Sequence, residues 1–230
     1  VGTAAPARRH RGGGPGAGPT VLSAKLAPFA PVPQVVTTGD ADRPFDAVER
    51  AGDPRAAQAF GRMKGYHGQF GVFVRAVSYM MALGGDGLRQ ASADAVLNAN
   101  YVMARLSAEL TPAFAGPCMH ECVFDDRFLK GSGVSTLDFA KALIDEGFHP
   151  PTMYFPLVVH GALLIEPTET ESKATLDQFI EAVLALAREA KTGTAADAFH
   201  ARPVLAPRRR LDETKAARKP VLRWKPIEGG

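Results

Sequence analysis

The stretch ALLIEPTETESKATLDQFIEAVLALA, residues 162–187, carries two hydrophobic periods in succession. Ala162 to Ile165 is a short apolar run of the kind a buried strand makes. Beyond Pro167, from near Ser172, Leu176, Phe179, Ile180, Val183, Leu184 and Ala187 recur at spacings of three and four, along one face of a helix. A strand passed straight to an amphipathic helix calls for a layered α/β architecture, since each element has an apolar face that only the other can bury.

Working outward, the neighbouring segments repeat the pattern. Ser135 with Asp138 three residues on is a variant capping box, and it opens a helix carrying Leu137, Phe139, Ala140, Leu143 and Ile144. Gly147 is the natural left-handed stop. Cys118 to Phe124 reads as a strand and Lys130 to Gly133 as a turn, while the two prolines of 149–155 make that segment a loop. A helix is expected over 88–110, with Val96, Leu97, Ala99, Val102, Met103 and Leu106 as its buried stripe. Another is expected over 69–83, where Phe70, Phe73, Val74, Val77, Met80 and Met81 share a face and Gly84-Gly85 ends the run. Val1 to about Pro33 is extended loop, followed by a short strand over 33–37. From Lys191 to Gly230 no periodicity is sustained, and an extended basic tail is expected. The domain organisation is therefore 1–68, a glycine-rich loop and extended segment; 69–87, a connecting helix; 88–190, a small α/β domain; and 191–230, the tail.

Composition narrows the class of function. Of 230 residues, 46% are hydrophobic and 22% charged, which is too apolar for wholesale disorder. A formal charge of +3 is too balanced to demand nucleic acid, and no apolar run is long enough to span a membrane. Two cysteines make no disulfide framework, and the first residues lack a secretory core, so a reducing cytoplasmic setting is expected.

Candidate chemistry is sparse. Gly12, Gly14 and Ala17 fit a dinucleotide pattern formally, but no apolar strand precedes them, Pro15 interrupts them and no Lys-Ser or Lys-Thr follows. Cys118, His120 and Cys122 would share one face of a strand. At about 3.3 Å per residue the two sulfurs stand about 13 Å apart, too far for one ion or one disulfide. No metal site is expected there. Glu166, Glu169 and Glu171 gather carboxylates between a strand and a helix, where acids and hydroxyls satisfy the helix start. His10, His67, His120, His149 and His160 are scattered and define no triad.

Seven segments taken together carry a resemblance: GGGPGAGP (12–19), HGQFG (67–71), VLNANY (96–101), PCMHE (117–121), GFHPPT (147–152), IEPTETES (165–172) and AARKPVLRW (216–224). In this order they resemble the glycine cleavage system P-protein family, more narrowly the second subunit of its two-subunit bacterial form, glycine dehydrogenase (decarboxylating). The resemblance implies the carboxy-terminal part of a fold-type I, aspartate aminotransferase-like enzyme, with a small sheet covered by helices. It also implies pyridoxal phosphate as cofactor, glycine as substrate, and glycine dehydrogenase subunit 1 and the lipoylated H-protein as partners. His10, Gly12, Gly13 and Gly14 match the cofactor-binding segment. Ala4 stands where the family has its cofactor lysine, Arg9 where a proline is expected and Arg11 in place of a glycine, so this chain is expected to hold the cofactor without a covalent bond, if at all. The other readings are a non-catalytic assembly module of the same complex, docked through Val221, Leu222 and Trp224, and the small domain of another aminotransferase-like enzyme.

Overall fold

In the computed structural model the strands of the carboxy-terminal half form one antiparallel sheet, and the order of its strands explains the chain's punctuation. The structure describes residues 18, 20–50, 52–64 and 67–224. The chain divides into two compact units, Val1–Leu88 and Arg89–Gly230.

In the first unit β1 (Gln34–Thr37) pairs antiparallel with β2 (Phe45–Val48), Val35 opposite Ala47. β1 falls inside the expected strand; β2 is new, since FDAV alternates too briefly to stand out. Val32, Val48 and Ala56 form a small core. Helical backbone then runs over α1, Phe70–Leu106, broken where Gly84 adopts φ 63° and ψ −175°. That left-handed φ is one glycine reaches without steric cost, so the expected stop at Gly84 is an interruption and helix resumes at once. Phe70, Val77 and Met81, of the shared apolar face, stand exposed.

The second unit begins within α1 and continues through β3 (Thr111–Pro112), β4 (Cys122–Asp125), α2 (Thr136–Asp145), β5 (Thr152–Met153), β6 (Leu163–Ile165), α3 (Lys173–Ala190), α4 (Ala195–Ala201) and α5 (Glu213–Arg218). The sheet order is β3-β4-β6-β5, antiparallel throughout. The two central strands are those the sequence shows as apolar runs. Both edge strands are two residues long and sit at prolines: Pro112 lies within β3, and Pro150 and Pro151 precede β5. A proline is tolerated at an edge because its missing N–H costs no ladder bond there, which is why 149–155 contains a strand where a loop is expected.

Helices and sheet enclose one core: Val102 and Leu106 of α1, Phe124, Leu163 and Ile165 of the sheet, Phe139 and Leu143 of α2, Ile180, Val183 and Leu186 of α3. Within the predicted stripe of α1, Ala99, Val102 and Leu106 are buried but Leu97 is exposed. The capping box at α2 forms as expected: Ser135 Oγ accepts from the Asp138 N–H and the Asp138 carboxylate accepts from the Ser135 N–H.

Residues after Lys191 depart most from expectation. Instead of an extended tail, α4 follows α3 directly, and Ala195 and Phe199 enter the core, Phe199 with no exposed surface. The Phe199 ring stacks on Phe139 at 6.4 Å between centroids, and the Arg202 guanidinium lies 4.8 Å from its face. Arg210 turns inward: it donates to the Arg202 and Phe199 carbonyls and pairs with Asp138 at 2.7 Å. Only seven residues of α4 carry this packing, too short a window for a helical period to show. Residues 219–224, past α5, are exposed, and Val221, Leu222 and Trp224 keep most of their surface in solvent.

Candidate functional site

Two loops of the second unit are fastened to α1 by neighbouring asparagines of VLNANY. Asn100 grips the backbone of Cys118 on both sides: its Nδ2 donates to the Cys118 carbonyl at 2.7 Å and its Oδ1 accepts the Cys118 N–H at 3.0 Å. Asn98 Nδ2 donates to the Thr168 carbonyl at 2.9 Å, and Thr168 is buried with its hydroxyl 3.0 Å from that of Thr170. PCMHE and IEPTETES are thus held against one helix by side chains that replace ladder partners for otherwise free backbone groups.

The Asn100 clamp corrects one expectation directly. Because Cys118 spends its N–H and carbonyl on Asn100, residues 118–121 do not join the sheet, and the strand begins only at Cys122. Cys118, His120 and Cys122 therefore share no strand face. Both cysteines are free; Cys122 is buried, and burial pushes its thiol well above the ordinary value.

What the two loops bring together is His120, Glu121 and Glu166. One ligand-capable atom from each lies within 4.8 Å of the others, with His120 Nε2 3.5 Å from Glu121 Oε1. The sheet sets this up. Cys122 pairs with Ile165, and Glu121 and Glu166 are the residues just beyond that pair, at the ends of β4 and β6. Cys122 and Ile165 are buried, and alternation turns their neighbours to the other face. Of the acids and hydroxyls expected at the helix start, it is a hydroxyl that serves it. Ser172 caps α3, its Oγ accepting from the Thr175 N–H, and the first turn has no acid.

The remaining candidates fall elsewhere. Ala4, His10, Gly12, Gly13 and Gly14 lie outside the described residues. His67 and His149 are exposed. His160 forms a pair with Asp126, Nδ1 to Oδ2 2.8 Å, and this hydrogen bond raises its pKa. Gly161 lies so close to Asp126 that a Cβ there would meet its Cγ at 2.2 Å, and Gly161 also has φ +57°, so glycine is required beside this pair. No lysine among the described residues is buried, and Lys173 and Lys191 are engaged by Asp177 and Glu109. The described residues thus offer no enclosed amine.

Comparison with known proteins gives a consistent result. The family model of the glycine dehydrogenase C-terminal domain matches residues 91–207. A probable glycine dehydrogenase (decarboxylating) subunit 2 of Caulobacter vibrioides is 64% identical over 219 residues, covering 95% of this chain and 41% of that protein. A protein of the same description from Shouchella clausii is 46% identical over 220 residues, covering 94% of this chain and 42% of that one. The chain spans about two fifths of the length of these curated relatives. Among solved structures, glycine decarboxylase (P-protein) of the glycine cleavage system, in inhibitor-bound form, superposes with a TM-score of 0.57 at 22% identity, covering 71% of this chain and 37% of that one. At that identity the likeness speaks for the fold, and the α/β layering with a small antiparallel sheet agrees with it.

Proposed function

Since this chain belongs to the family of the glycine dehydrogenase C-terminal domain, we propose that it acts as the carboxy-terminal part of a glycine cleavage system P-protein subunit 2, in the cytoplasm. In this reading the complete enzyme decarboxylates glycine and passes the aminomethyl group to the lipoyl arm of the H-protein, with subunit 1 as partner. Pyridoxal phosphate would supply the electron sink that makes loss of the carboxylate accessible. This chain's own contribution is the small α/β unit and its clamped loops.

The observation that carries the reading is the 64% identity over 95% of the chain to a subunit 2 relative. The two clamped loops support it, since they are formed by segments on which the family resemblance rests. The test is a chimera in which residues 20–224 replace the matching part of the Caulobacter relative. Combined with subunit 1, H-protein and pyridoxal phosphate, it is expected to release carbon dioxide from glycine. A chimera that assembles normally yet releases none, beside an active parent, would overturn the reading.

A second reading, a non-catalytic assembly module, is favoured by one observation. Val221, Leu222 and Trp224 are 84, 89 and 85% exposed, and burying such side chains is worth about 1.5–3 kcal/mol each. In that case the chain binds subunit 1 through this terminus, and replacing all three by serine weakens assembly.

A further inference from the structure

We propose that residues 208–224 form a docking arm for an acidic protein surface with an apolar pocket, the arginines meeting its carboxylates and Trp224 entering the pocket. This stretch holds seven of the chain's lysines and arginines against Asp212 and Glu213, a local charge of +5 on a chain of net +3, so the rest of the molecule is net negative. Arg210 is engaged by Asp138. The other six cations, Arg208, Arg209, Lys215, Arg218, Lys219 and Arg223, are exposed and form no ion pair among the described residues. Elsewhere in the same unit Arg188, Lys191 and Arg202 each hold a glutamate. Unpaired cations gathered in one run repel one another, and an acidic partner relieves that repulsion.

The arm is rooted before it is presented. Val204 and Leu205 donate their N–H groups to the Asp145 carboxylate at the end of α2, and Arg210 pairs with Asp138 in its first turn. Asp212 then caps α5, its Oδ1 accepting the Lys215 N–H at 2.8 Å. A root fixed on one helix limits the freedom that docking removes. Beyond it the exposed Val221, Leu222 and Trp224 fall within four residues, with Arg223 among them. The composition selects a protein over other polyanions. Arginine and tryptophan are the side chains that dominate the energetics of protein interfaces. A single-strand binder needs several stacking aromatics, and Trp224 is the chain's one tryptophan. A membrane-surface helix needs a bulky apolar face, and α5 offers only Ala216 and Ala217.

The choice of probe rests on the reading above, in which subunit 1 is the partner. The full chain is titrated with subunit 1 at about 0.05 M and about 0.5 M salt. Binding is expected to weaken at least about tenfold at the higher salt and about thirtyfold in Trp224→Ala. It loses its salt dependence in the variant that combines Arg208→Ala, Arg209→Ala, Arg218→Ala and Arg223→Ala. All five side chains are exposed, so circular dichroism is expected to be unchanged in both variants. Binding that survives both variants, no binding at all, or tighter binding to duplex DNA or to phosphatidylserine vesicles would overturn the arm. If the arm fails while the chimera proposed above still releases carbon dioxide, the reaction stands without it; if the arm binds and the chimera is inactive, the docking stands alone.

Discussion

Replacing Phe199 by alanine tests whether the residues after Lys191 are an arm or part of the core. The ring has no exposed surface, stacks on Phe139 at 6.4 Å and carries the Arg202 guanidinium on its face. Removing a fully buried phenylalanine costs about 3–5 kcal/mol, the lost transfer free energy plus the cavity left behind. The lower part of that range requires α4 to collapse onto Phe139, and the Arg202–Glu189 ion pair at 2.9 Å holds the chain just beyond α4 in place. About 4 kcal/mol is therefore expected, a large share of the roughly 5–15 kcal/mol that keeps a domain folded. With a urea dependence of about 2 kcal/mol per molar, the unfolding midpoint followed by far-ultraviolet circular dichroism falls by about 2 M. An exposed arm would shift it by no more than a surface substitution does, about 0.5 kcal/mol or less. A midpoint moved by under about 0.3 M would therefore refute the placement of Phe199 in the core.

Three further outcomes are expected. Asn100→Ala removes the bonds to both backbone groups of Cys118 and costs about 1–3 kcal/mol; amide exchange of residues 118–121 accelerates, and unchanged exchange there would mean the clamp holds nothing. Asp53 titrates at about 2 because Arg55 hydrogen-bonds its carboxylate; its contribution is complete above the ordinary value of 3.8 and is lost as pH falls through about 2. Arg55→Ala returns the midpoint of Asp53, followed by NMR, toward 3.8, and a midpoint left near 2 would point to another cause. Titration of the chain alone with pyridoxal phosphate is expected to give no stoichiometric, borohydride-trapped lysine, since the family resemblance puts Ala4 where the cofactor lysine is expected and no described lysine is buried; one fully modified lysine would contradict this.

The parts of the fold legible in the sequence are those whose signal is long or chemically specific. α3 offers five turns of period, α2 announces itself by its capping box, and β6 is an unbroken apolar run. β3 and β5 are two residues each beside prolines, and they exist only because a central strand is there to receive them. α4 is decided by what Phe199 meets, not by its own pattern. The site divides in the same way. His120 and Glu166 are visible as polar residues flanking strands, but their meeting depends on the antiparallel register of β4 and β6, which no local spacing encodes. The segment 118–121 misleads because the side chain that withdraws it from the sheet, Asn100, belongs to a helix earlier in the chain.

Asp138 belongs to the cap of α2, yet its cation, Arg210, is supplied from well past the end of α4. The carboxylate is almost wholly enclosed. Its burial opposes the charge, and the hydrogen bonds from Ser135 and Arg210 outweigh that and hold its pKa below the ordinary range. On the ribosome the order of events is therefore fixed. A chain emerging amino terminus first completes α2 and both central strands while Asp138 still lacks Arg210 and Phe139 still lacks the ring of Phe199. Until those residues emerge, closing the core would bury an under-compensated charge beside a void, so the nascent unit stays open to chaperones and proteases. A premature stop a few codons before Arg210 removes far more structure than the missing residues themselves contain.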